Sequence, residues 1–182
     1  MSDEFRRKLD ALAGEQACVE IFRSPKLSIV GRLILASQHV FVVEKVSGLQ
    51  ADGLVAARVQ DVTHMRWGSR DLELMSDVFS GHSVPAISSV ALLDLSSAIS
   101  VFNKMFGAVT VFAEDVEPET CFIGEEVSVT DEWVQLREFG ARGKRDRADL
   151  VVSLNVITRV EGGGRYERAL RSIYFPKEST MS

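Results

Sequence analysis

Two cysteines, Cys18 and Cys121, sit far apart in unlike contexts, too few and too scattered for a disulfide framework. They read as reduced thiols in a cytoplasmic protein, each a small buried hydrophobe rather than a nucleophile. Histidine is as scarce: His39, His64 and His82 share no helical or hairpin spacing with one another or with a cysteine. Metal ligation is therefore not expected. Basic residues are in deficit, 21 against 26 acidic, for a net charge of −5, which argues against a dedicated nucleic-acid binder while leaving room for a local basic patch. No long hydrophobic run is present. The most apolar region, Val84 to Phe112, is interrupted by Asp94, Asn103, Lys104 and several serines, too polar for a membrane span of about 20 apolar residues. The first ten residues lack the apolar core of a signal peptide. No stretch forms a catalytic signature, and no cofactor is implied.

What the chain does have is a repeated pattern of short strands. Ser28 to Val46 alternates as two strands over a polar corner at Ser37-Gln38-His39, and Phe122 to Phe139 does the same over Thr130-Asp131. Gly31 and Gly124 hold the same place in the two hairpins, an offset of 124 − 31 = 93. Val109-Thr-Val-Phe112 answers Val19-Glu-Ile-Phe22. Leu150, Val152 and Leu154 answer Val55, Ala57 and Val59 at an offset of 95, and Ile157 to Val160 answers Val62 to Met65 at the same offset. Elements agreeing in this order imply an internal duplication.

Helices frame each half. Phe5, Leu9 and Leu12 predict an amphipathic helix over residues 2–14, stopped by Gly14. Ile87, Ala91, Leu95, Ala98, Phe102 and Met105 make one apolar stripe, predicting a long helix over 86–106 that starts after Pro85 and ends at Gly107. Short trailing helices are expected at Leu72–Phe79 and Tyr166–Tyr174.

Five short antiparallel strands expose two edges unless the sheet curls on itself, and a glycine within a strand marks where it can bend. Each half is therefore expected to close into a small barrel. The pattern resembles the Sm-like fold, a helix followed by a strongly bent five-stranded barrel. The likeness rests on Val30-Gly31-Arg32-Leu33 with Val40, and on Ile123-Gly124-Glu125-Glu126 with Trp133. It implies two tandem Sm-like barrels, each preceded by a helix and joined by the long amphipathic helix. The segments would be 1–80, 81–107, 108–175 and a tail at 176–182. Family members that bind RNA place an Asp at the hairpin corner, an Asn soon after, and a late Arg-Gly pair. Here Ser37 and Thr130 hold the corners, Phe41 and Val134 take the Asn place, and Val62–Gly68 and Ile157–Gly162 lack the Arg-Gly. Only Asp131 matches that set.

The one basic cluster is Arg137, Arg142, Lys144, Arg145 and Arg147, in a glycine-containing loop that suits a phosphate backbone or an acidic partner. Glu138, Asp146 and Asp149 share the segment, and a solvated hairpin explains the same charges. The run Glu114 to Glu119 reads as a solvated acidic loop, Gly162-Gly-Gly-Arg165 as a connection, and Trp67 and Trp133 as packing. Three readings of function stay open. The first is a non-catalytic binding or scaffolding module that self-associates through exposed barrel edges; the second is an RNA-associated protein using the basic loop; the third is an enzyme with a site between the barrels.

Overall fold

The computed structural model describes residues 3–24, 27–81, 87, 91–139 and 148–174. Its first half comprises α1 (Asp3–Gly14), β1 (Cys18–Ser24), β2 (Leu27–Ala36), β3 (Val40–Ser47), β4 (Gln50–Arg58), β5 (His64–Trp67) and α2 (Arg70–Ser76). The second comprises α3 (Leu95–Phe106), β6 (Val109–Phe112), β7 (Cys121–Val129), β8 (Trp133–Glu138), β9 (Asp149–Ser153), β10 (Arg159–Gly162) and α4 (Arg165–Tyr174).

The ten strands form one antiparallel sheet in the order β5-β1-β2-β3-β4-β10-β6-β7-β8-β9. This overturns the expectation of two closed barrels. Closure was invoked to remove four strand edges. The chain removes two of them differently, by laying β10 along β4, with Val160 opposite Ala56 and Glu161 opposite Val55. Neither half closes on itself, and the joined sheet keeps only two edges, β5 and β9.

Each half nonetheless uses its strands in the same order, 5-1-2-3-4 and 10-6-7-8-9. Their registers also correspond. Gly31 lies between Val19 and Lys45, and Gly124 between Val109 and Glu138. An extra residue follows in both long strands, between Leu33 and Leu35 and between Glu126 and Ser128. Such a bulge bends the strand and increases its twist. The corners match as well: the Ser37 hydroxyl accepts from the Val40 N–H, and the Thr130 hydroxyl from the Trp133 N–H.

Two cores sit on opposite faces. On one face α1 inserts Leu9 and Leu12 against Val19, Ile21, Leu33, Phe41, Val43 and Val55. On the other, α3 inserts Leu95, Ala98, Ile99 and Phe102 against strands of both halves, including Val42, Ala56, Val111, Leu136 and Val160. Strands β3 and β4 are therefore buried on both sides, which is why Val40-Phe41-Val42-Val43 is an unbroken apolar run, with no alternation. Each fully buried Leu, Ile or Phe stabilises this junction by roughly 1.5–3 kcal/mol.

The long helix predicted over 86–106 is corrected to twelve residues starting at Leu95. Asp94 stops it going further back. Its carboxylate accepts from the Ser97 N–H while the Ser97 hydroxyl accepts from the Asp94 N–H, a reciprocal cap. Leu92 is buried in the shared core without being helical. Residues 82–86 and 88–90 lie outside the described residues. In α4 the buried side is Glu167 and Tyr174, whereas Tyr166 and Ile173 of the expected stripe face solvent.

A Cβ at Gly31 would lie 2.0 Å from the Glu44 carbonyl oxygen, and one at Gly124 2.4 Å from that of Arg137. Backbone cannot yield at such distances. Gly31→Ala and Gly124→Ala are each expected to destabilise the fold by about 3 kcal/mol or more in urea denaturation. Gly14→Ala, which meets nothing within 4 Å, is expected to be neutral or stabilising by about 0.5 kcal/mol.

Candidate functional site

Of the predicted basic cluster, only Arg137 lies within the described residues; Arg142, Lys144, Arg145 and Arg147 fall in the segment 140–147 outside them. The Arg137 Nε donates to Asp149 Oδ1 at 3.0 Å across β8 and β9, so this arginine is engaged within the sheet. Cys18 on β1 is only partly buried, opposite Arg32, and Cys121 is exposed on β7, so the expectation of two buried hydrophobes is corrected. Burial pushes both thiols up, opposed by Arg32 at Cys18 and reinforced by Glu161 and Glu167 at Cys121. A raised thiol is a poor nucleophile at neutral pH. Among the described residues, no three His, Cys, Asp or Glu side chains are grouped to hold a metal ion. No described helix is long and apolar enough to cross a membrane.

The end of β4 and the second hairpin corner lie beside the start of α3. Arg58, Asp94, Leu95, Ser96, Asp131 and Asn155 line a shallow polar cleft of about 280 Å³. Arg58 and Asp94 are already engaged. The Arg58 guanidinium donates to the carbonyls of Leu154 and Ile157, tying β4 to the loop after β9. Burial alone would raise the Asp94 carboxyl, but hydrogen bonds from Ser96 and Ser97 outweigh it and hold that carboxyl below its ordinary value. The cleft joins the halves; it does not present a nucleophile with a base.

Beside the junction runs a chain of alternating charges. Buried Glu114 accepts from Arg23 at 2.8 Å, from the Thr158 hydroxyl at 2.9 Å and pairs with Arg159 at 3.1 Å. Arg159 also pairs with Glu161, which meets Lys45 of β3. Glu114 is thus not the solvated loop residue that its acidic neighbours suggest. The sequence gives no local sign of this, because Arg23 is 91 positions away.

The remaining candidates are the two ends of the sheet. No described strand pairs with the outer side of β5 or of β9. Trp67 on β5 is 45% exposed, and Trp133 on β8 and Val151 on β9 are 47% and 57% exposed. Neither tryptophan is a buried core residue of the sheet, which leaves packing at an interface as the expectation for both. Lys8 lies over the Trp67 ring, 4.9 Å from its centre. Trp133, opposite Ser153, shares a face with Val151, and Trp67 shares a face with Met65. Unpaired N–H and C=O groups flanked by exposed apolar side chains are what an added strand needs.

No protein-family model matches the chain, and comparison with curated proteins and with solved structures returns no match.

Removing the Glu114 carboxylate by Glu114→Ala leaves buried Arg23 with only Asp61 at 3.9 Å and Arg159 with only Glu161 among the described carboxylates, and is expected to cost about 3 kcal/mol in urea denaturation. Asp94→Ala is expected to cost about 1 kcal/mol at pH 7. The depressed Asp94 carboxyl contributes stability that is fully present above its ordinary value of 3.8 and is lost as pH falls through the lower folded value. Asp94→Asn, which can still cap, is expected to flatten that part of the pH–stability curve.

Proposed function

We propose that the chain is a binding and scaffolding module whose contacts are made by the two open edges of its sheet, with a second copy of itself as partner. The observation that supports this is the pair of unsatisfied edges, each beside a half-exposed tryptophan. An edge strand left bare is a template for another strand, and main-chain hydrogen bonds supply the attraction whatever the side chains. The edges differ in sequence and in position, so the contact is heterologous and each copy offers one donor and one acceptor edge. The role requires no chemistry from the polar cleft, whose arginine and carboxylate are already engaged.

Light scattering across a concentration series tests it. Wild-type protein is expected to exceed the mass of one chain, increasingly so with concentration. Val151→Lys places a charge on the exposed edge, should leave monomer stability within about 0.5 kcal/mol, and is expected to return the protein to single chains. Strictly monomeric wild-type protein at every concentration would end the proposal.

A further inference from the structure

We infer that a second copy docks head to tail, its β5 lying along β9 in the register that β10 adopts along β4. This rests on the edge-binding reading above and specifies its geometry. The argument is one of counterparts. By cross-strand partners, β9 occupies in the second half the place of β4 in the first. Val43 faces Val55 and Phe41 faces Ala57, while Leu136 faces Leu150 and Val134 faces Val152. Likewise β5 holds the place of β10: Ile21 faces Met65 and Glu20 faces Arg66, while Val111 faces Val160 and Thr110 faces Glu161. The two free edges of the chain are therefore the same two kinds of strand that already join inside it.

Replacing each residue of the internal joint by its counterpart gives the external one. The buried contact of Ala56 with Val160 becomes Val151 with Met65 of the next copy. Val55 with Glu161 becomes Leu150 with Arg66. Both partners of the first pair are apolar, and docking would cover Val151, now 57% exposed. On that same face Trp67 would lie beside Asp149.

Charge supplies an independent check. Inside the chain, Lys45 of β3 reaches across β4 to Glu161 of β10. The counterpart of Lys45, the residue facing the strand glycine, is Glu138. The counterpart of Glu161 is Arg66. The ion pair is thus retained between copies with its signs exchanged, although nothing in a single chain brings Glu138 and Arg66 together. Glu138 has no ion-pair partner among the described residues, and burial pushes its carboxyl up, as befits a group awaiting a cation. Arg66 is loosely held, 3.5 Å from Glu20 and over the Phe22 ring.

Charge reversal tests the pairing on full-length protein, with thermal melts confirming that each variant folds. Glu138→Arg and Arg66→Glu alone are each expected to weaken self-association about tenfold or more, as opposed charges across an interface become like charges. The double variant, carrying both changes in one chain, is expected to recover wild-type assembly. An equimolar mixture of the two single variants should also recover assembly, because copies that alternate meet the opposite charge at both of their joints. A second readout avoids charge altogether. Met65→Cys with Val151→Cys, in a background with Cys18 and Cys121 changed to Ser, should give intermolecular disulfides under mild oxidation, and Arg66→Cys with Val151→Cys, one residue out of register, should give far fewer. Association that persists unchanged in both single reversals and cross-links equally in both registers would overturn this joint while leaving edge binding standing. Monomeric wild-type protein would overturn both.

Discussion

The antiparallel pairing of β4 with β10 is the constraint on which the rest of the architecture depends. It brings together strands about a hundred residues apart, and loop-closure entropy makes such a contact costly to form before its rewards arrive. Those rewards are substantial. The pairing extends the sheet so that the second face of β3 and β4 finds a cover in α3, turning a half-buried hairpin into a strand pair packed on both sides. It also carries Glu161 into reach of Lys45. Buried charges of this kind are weak evidence for stability in themselves. Their arrangement, cation between anions across the seam, does penalise a shifted register, because a slip of one residue turns every side chain to the opposite face.

Local pattern made the strands legible and left their partners unreadable. The alternation from Ser28 to Val46 and the polar corner at Ser37 correspond to β2 and β3, and the glycines at 31 and 124 sit where a Cβ would strike backbone. What alternation cannot say is which strand takes the free side of β4. Two answers satisfy the same apolar positions: β5 of the same half, giving a barrel, or β10 of the other, giving one sheet. The unbroken run Val40 to Val43 was the available hint, since a barrel strand with a solvated outer face would alternate. Helix α3 shows a different limit. Apolar spacing continues upstream of Leu95, yet the Asp94-to-Ser97 cap ends the helix there, and Leu92 is buried by tertiary packing alone. The burial of Glu114 marks a related limit. Local composition carries no information about contacts made from the other half of the chain, or about a face left uncovered.

The halves share a backbone plan and differ in how their faces are clothed. In the first, α1 covers an apolar core face, with Leu9 and Leu12 against Val19, Ile21, Leu33 and Val43. In the second, the position matching Leu33 is Glu126, whose N–H donates to the Asn103 side chain of α3, and the outer face of β8 and β9 bears Trp133, Gln135 and Val151. Divergence has therefore fallen mainly on the end of the sheet that stays open.

That asymmetry bears on how an open-ended sheet avoids uncontrolled growth. Long, flat, apolar edges aggregate; these two are short, four residues in β5 and five in β9, and both carry charge, through Arg66 on one and Asp149 on the other. Short charged edges are the usual means of discouraging strand addition. Here they also discriminate between possible additions. A two-fold contact of β5 with β5 would set Arg66 near its own copy, and one of β9 with β9 would bring Glu138 no cation. Only the unlike pairing sets Glu138 against Arg66 and leaves no edge bare in the interior of an assembly. On the proposed joint, the features that keep a solitary chain from sticking to strands at random would also select a particular neighbour and register.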